Sequence, residues 1–130
     1  MNLRKFIVET GMGIDQHGQD ATEAALKAVH DAIARPCLTG IREVLGMADW
    51  SHVQVEVLVA CPHPDEVRTE EVLKALPVGN PSLKVVEGGM VACGVKSPRF
   101  GDKSDEMYIA NAAVTVWVDV DRVVLPKSQP

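Results

Sequence analysis

Two stretches with the same two-residue rhythm constrain this chain more than any other feature. In His52–Ala60, HVQVEVLVA, the residues Val53, Val55, Val57 and Val59 fall on one side and Gln54 and Glu56 on the other. Met107–Val120 places Ala110, Ala112, Val114, Val116, Val118 and Val120 on one side, with Ile109, Asn111, Thr115 and Trp117 opposite. Side chains alternate along a strand, so both stretches read as strands with one face turned to a core. Long one-sided strands favour an antiparallel or mixed sheet over a parallel sheet covered on both faces. The side carrying Ile109, Thr115 and Trp117 is not polar enough for water, which predicts partial burial between subunits and hence a homo-oligomer, as a dimer or trimer.

The remaining segments supply helices for one face of that sheet. Leu3–Thr10 is a short β-rich segment. Asp20–Ala34 has apolar residues at Ala25, Leu26, Val29, Ala32 and Ile33, which is helical spacing, with Asp20 as N-cap and Glu23 three residues on. Pro36 stops this helix, and Leu38, Ile41, Leu45 and Met47 predict a second, short one. Residues 65–76 carry Val72, Leu73 and Leu76 behind acidic residues suited to a helix start, and PVGNP ends the segment. Leu83–Glu87 and Met90–Cys93 read as strand pieces interrupted by Gly88 and Gly89, a pair that marks a bulge, a turn or close backbone approach. The polar stretch 94–106 reads as a mobile loop. The order is β-α-α-β-α-β-β: an α+β fold with an antiparallel or mixed four-stranded sheet and two to three helices on one face. A chain of 130 residues suits a single domain over 1–130, with 125–130 as a flexible tail. The aromatic share of only 4% leaves Val, Ala, Leu, Ile and Met to build the core.

Charge narrows the partners. The formal net charge is −5 and Lys and Arg are scattered, so no electrostatic footprint for nucleic acid or an anionic membrane exists. No apolar run reaches membrane-spanning length and the N-terminus lacks the pattern of an export signal, which makes the cytoplasm the expected location. Cys37, Cys61 and Cys93 are widely spaced and fit reduced thiols.

The chemistry concentrates in Glu9–Asp20, ETGMGIDQHGQD. If the first strand continues past Thr10, Glu9, Gly11, Gly13, Asp15 and His17 share one face and Met12, Ile14 and Gln16 the other. A strip of bare backbone then leads to a carboxylate and an imidazole ~7 Å apart, beside the N–H donors of a helix N-terminus. On this reading Asp15 and His17 are the catalytic pair or bind a divalent metal, and Glu9, Gly11, Gly13 and Gly18 line the site of a small-molecule substrate. The segment lacks the third glycine of a dinucleotide fingerprint and the lysine of a P-loop. Cys61 and His63, two apart after a strand, would complete a zinc or manganese site, and Glu87 beside Gly88 and Gly89 is a further lining candidate. A metal would lower the pKa of a bound water for hydrolysis or lyase chemistry; without one, Asp15 would orient His17 as general base. The competing readings are structural: the glycines make a tight turn, Asp15 forms an Asx-turn, His17 satisfies a backbone group, and the protein is a non-catalytic ligand-binding or assembly module.

Gly11–Gly18, GMGIDQHG, matches the signature G-x-G-x-D-x-H-G and resembles a family of conserved hypothetical proteins of bacteria and plants. The resemblance extends over the helix beginning at Asp20, the turn at Leu76–Gly79, the EGG triplet at Glu87–Gly89 and NAAVTV at Asn111–Val116. Locally, the D-x-H run is similar to the metal-binding start of the cyclodiphosphate synthase of isoprenoid synthesis, which implies a divalent ion at Asp15 and His17 in a trimer. The E-T-G-x-G-x-x-D run also looks like one repeat of the ring-opening amidohydrolases.

Overall fold

The computed structural model describes residues 1–125, so all but the first residue of the expected tail lies outside the described residues. Five strands and three α-helices follow in the order β1 (Leu3–Asp15), α1 (Ala21–Ile33), α2 (Thr39–Glu43), β2 (Val53–Cys61), α3 (Thr69–Lys74), β3 (Asn80–Glu87), β4 (Met90–Cys93) and β5 (Glu106–Asp119). The fold is α+β with a mixed sheet, as the alternation predicts, but the sheet has five strands rather than four.

β5 is its centre. One edge of β5 pairs antiparallel with β1 from Leu3↔Asp119 to Asp15↔Tyr108. The other pairs with β2 over Ala60↔Asn111 to Val53↔Val118, and then with β4 over Met90↔Ile109 to Cys93↔Glu106. β3 runs parallel to β2 on its far side. The fifth strand arises at Gly88 and Gly89, where the chain leaves the outside of β2, crosses its end and takes β2's place beside β5. A Cβ at Gly88 would lie 2.8 Å from the Ala60 Cβ, and Gly89, at φ 66°, passes against the Ile109 carbonyl. The two strand pieces therefore have different neighbours and are separate strands. β3 starts three residues earlier than expected because Gly79, at φ 81°, makes the turn and Pro81 is tolerated on an edge strand. β5 ends at Asp119, and Val120 belongs to a 3-10 turn and is exposed.

The core lies between the sheet and α1, which packs chiefly on β1 and β5. Val53, Val55, Val57, Val59, Val114, Val116 and Val118 form its sheet wall, all buried. Against them α1 presents Ala24, Ala25, Ala28, Val29 and Ala32. Asp20 caps α1 as expected, its Oδ1 accepting from Thr22 N at 2.9 Å. In β1 the register shifts between Lys5 and Ile7, and Phe6, the extra residue, reaches Gly40 of α2. β1 is an edge strand, and α1 also covers part of its free edge: Met12 N donates to Asp31 Oδ2 at 3.0 Å and Lys27 Nζ donates to the Ile14 carbonyl at 3.1 Å.

Among the described residues no helix covers the opposite face of the sheet. Val8, Met12 and Leu58 stand exposed on it, while Trp117 is half-buried with Lys5 Nζ 5.2 Å over its ring. Trp117 Nε1 is buried without a hydrogen-bond partner among the described residues.

Candidate functional site

β1 runs five residues further than expected, to Asp15, so Glu9, Gly11, Gly13 and Asp15 do share the inner face. What lies against the glycines is the protein's own helix. A Cβ at Gly11 would stand 2.6 Å from the Ala28 carbonyl oxygen and 2.9 Å from the Ala32 Cα; at Gly13 it would stand 2.5 Å from the Ala24 carbonyl oxygen. The side-chain-free strip is thus the groove into which the backbone of α1 sinks. This role was absent from the sequence reading, which left the strip free for a ligand.

After Asp15 the strand stops, and His17 leaves the line of the strip. Gly18 (φ 93°) and Gln19 (φ 50°) turn the chain sharply toward α1. Asp15 is buried and its Oδ2 accepts from Asp20 N at 2.8 Å, which closes this turn. Gly18 therefore serves the tight turn and Asp15 a local backbone bond. His17 does not look to Asp15. Its Nδ1 lies 2.6 Å from Oδ2 of Asp102, in the stretch 94–106 whose polar sequence predicts a mobile loop.

Asp102 organises that loop. Its side chain is fully buried and accepts from Ser97 N at 2.7 Å, Gly18 N at 2.8 Å and Gln19 Nε2 at 3.3 Å besides His17. Burial acts to raise its pKa, but these donors outweigh it and hold the carboxyl well below the usual range. Gln19 extends the clamp: its Nε2 donates to the Glu106 carbonyl at 2.9 Å and its Oε1 accepts from Lys103 N at 2.9 Å. An anionic Asp102 selects the His17 tautomer with the proton on Nδ1, and Nε2 has no hydrogen-bond partner among the described residues. The His17 side chain is 36% exposed, with Phe100 of the same loop against its ring at 5.0 Å.

The second sequence candidate lies at the end of β2. Cys61 is buried, and its thiol donates to the Ala21 carbonyl at 3.6 Å. Burial, aided by the nearby Glu87 carboxylate, pushes the thiol up to about 11. His63 sits in a left-handed conformation (φ 52°), its ring 5.1 Å from that of Tyr108. Among the described residues no three His, Cys, Asp or Glu side chains form a group that could hold a metal ion. Asp15, His17, Cys61 and His63 are accordingly not gathered into one such group: Asp15 accepts from the Asp20 amide, His17 meets Asp102 through Nδ1, and the Cys61 thiol donates to the Ala21 carbonyl. Glu87, Gly88 and Gly89 lie at the strand crossover, with Glu87 in register beside Cys61.

Two residues that sequence reasoning missed complete this end of the sheet. Tyr108, in register with Asp15, is buried; burial raises its pKa, with the neighbouring Glu106, Glu66, Cys61 and Asp15 adding to the effect. Arg68 ties the segment after β2 to the start of α1, its N donating to Thr22 Oγ1 at 2.8 Å and its Nη2 to Asp20 Oδ2 at 3.3 Å.

This arrangement joins β1, the turn after it, the start of α1 and the 94–106 loop, and the family model described as "Conserved hypothetical protein (Lin0512_fam)" matches residues 5–116, spanning all of them. The chain belongs to the Lin0512 family. A solved member of the same fold is the crystal structure of an FtsZ-like protein of unknown function from Nostoc punctiforme. It is 50% identical to this Lin0512 chain, with a TM-score of 0.83 over 92% of this chain and 98% of that one. No curated protein matches the chain. Among the described residues no helix is long and apolar enough to cross a membrane.

Proposed function

We propose that this Lin0512 chain is a small acid–base enzyme, with His17 as the proton-transfer group for hydrolysis or lyase chemistry on a small polar substrate at the end of the sheet. The observation that carries the reading is the 2.6 Å contact between His17 Nδ1 and the buried, multiply bonded Asp102, which leaves the other ring edge open. A histidine fixed in one tautomer by a carboxylate, with Nε2 free, is the arrangement a general base requires. In this reading Asp102 takes the orienting role that the sequence suggested for Asp15, and Asp15 is a positioning residue that shapes the turn. The chain would act in the cytoplasm on a small-molecule ligand, with neither nucleic acid nor membrane as partner.

The experiment has two arms. Imidazole nitrogen NMR of the folded protein should find the proton of neutral His17 on Nδ1; a proton on Nε2 would sink the proposal. In a screen of small esters, amides, lactams and hydroxy acids, His17→Gln should lower any turnover found by about 10²–10⁴-fold while keeping the fold. A His17→Gln variant as active as wild type would equally refute it. Zinc and manganese analysis of the same preparation, with Asp15→Ala and His17→Ala controls, tests the metal-dependent form of the reading.

A second reading rests on the helix-free sheet face. Val8 (52% exposed), Met12 (48%) and Leu58 (42%), together with the unpartnered Trp117 Nε1, suit burial against a second copy in a homo-oligomeric assembly module. Light scattering distinguishes the two states, and a monodisperse monomer at high concentration counts against assembly.

A further inference from the structure

Six residues before Asp15, and so ~20 Å from it along β1, Glu9 faces the same way into different surroundings. Glu9 is 8% exposed and stands in register with Val114 of β5. It lines a pocket of about 240 Å³ whose walls include Ile33, Leu38, Trp50, Leu76 and Val116. Among the described residues the Glu9 carboxylate has no hydrogen-bond or ion-pair partner, and burial, the sole influence on it, raises its pKa. Among the described residues Glu9 is the only charged side chain in the lining, and Cys37 is the other group there with a titratable proton.

A carboxylate set among apolar walls, with no partner among the described residues, is available to pair with a cation that enters the pocket. We infer that this pocket binds a small organic ammonium ion, whose charged head pairs with Glu9 and whose apolar body rests against Trp50, Leu76 and Ile33. Competing occupants meet specific penalties. A carboxylate or phosphate would be repelled by Glu9. A neutral hydrocarbon would leave the carboxylate unpaired. A hydrated inorganic cation would surrender its water to apolar walls that offer one ligand. The volume accommodates about eight water-sized groups, which fits an amine bearing one ring or a short branched chain. The aromatic wall adds a favourable surface for the cation.

The inference is independent of the His17 reading. Trp50 reports occupancy, and Trp117→Phe leaves it as the sole tryptophan, since the chain has two. In that background Trp50 fluorescence is followed during titration with 2-phenylethylamine, with 2-phenylethanol as neutral counterpart and with 3-phenylpropionate as anion. The amine should bind saturably and at least about tenfold more tightly than the alcohol, as expected of one charge-assisted hydrogen bond, and the anion should not bind. Glu9→Gln should erase the preference for the amine. Affinity of the Glu9-containing protein for the amine should also fall as the pH is lowered through the raised Glu9 pKa, because a protonated carboxyl presents no charge. Absence of saturable amine binding, equal affinity for amine and alcohol, or a preference that persists in Glu9→Gln would overturn the inference. If Glu9→Gln does not fold, the amine–alcohol comparison and its pH dependence decide.

Discussion

Gly13→Ala separates a helix groove from a ligand cradle. The added Cβ would lie 2.5 Å from the Ala24 carbonyl oxygen, whereas real Cβ contacts end near 3.0 Å, so α1 must retreat by at least about 0.5 Å. Both sides of the clash are backbone, and no rotamer change relieves it. A gap of that size forfeits about a quarter of each dispersion contact along the seam. Ala24, Ala25, Ala28, Val29 and Ala32 are all buried in that seam, so the loss is repeated along the helix. Overpacking typically costs about 1–3 kcal/mol, and a rigid helix against a strand belongs at the upper end. Against this, alanine restricts the unfolded chain and returns about 0.4–1 kcal/mol. The net expectation is a loss of about 2–2.6 kcal/mol from a total of about 5–15 kcal/mol. For a chain of this size that lowers the melting temperature by roughly 10 °C. Urea unfolding monitored by circular dichroism measures it. Gly101→Ala is the control: its φ of 81° penalises alanine, but no atom lies within 4 Å, and about 1–2 kcal/mol is expected from backbone strain alone. If Gly13→Ala unfolds within about 0.5 kcal/mol of wild type, α1 does not occupy the strip and the packing argument fails.

Asp102→Asn tests the loop clamp through pH. The folded pKa of Asp102 is depressed, so its contribution is present above the unfolded value near 4 and is lost as the pH falls toward the folded value. The variant should therefore lose stability at neutral pH and show a shallower decline on acidification, with faster amide exchange over 94–106; an unchanged acid profile would contradict the clamp. Alkylation at pH 8 should modify Cys37 and Cys93, which are exposed, and spare Cys61, which is buried with its thiol pushed up to about 11. Mass spectrometry of the native protein should find two adducts, and rapid formation of a third would show that Cys61 is accessible.

The legible parts of this fold were periodic. Val53–Val59 and Ala110–Val118 announce their buried face because strand alternation needs no knowledge of the partner, and Asp20 announces the start of α1 because capping is local. The sheet's fifth strand was not legible: Gly88 and Gly89 signal a close approach without saying which strands are approached. The glycine strip shows the deeper ambiguity, since bare backbone serves a ligand and a helix equally. The discriminating sign was Ala24, Ala28 and Ala32 at intervals of four, a small-residue face made to meet Gly11 and Gly13. Asp102 carries the largest lesson for the site. It lies 85 residues from His17 in a polar loop, and nothing local distinguishes it from Asp105 or Asp121. Asp15 is the nearer carboxylate in sequence, while the carboxylate that meets His17 Nδ1 comes from across the fold.

The bonds from Asp31 and Lys27 to β1 also bear on how copies of this protein can meet. A sheet margin with free amides and carbonyls invites another chain to add itself as a strand, the commonest route to runaway association. Here the Met12 amide and the Ile14 carbonyl are already taken by side chains of the protein's own helix. A foreign strand approaching this margin would first have to displace a carboxylate and an ammonium group. Growth of the sheet through this stretch is therefore disfavoured.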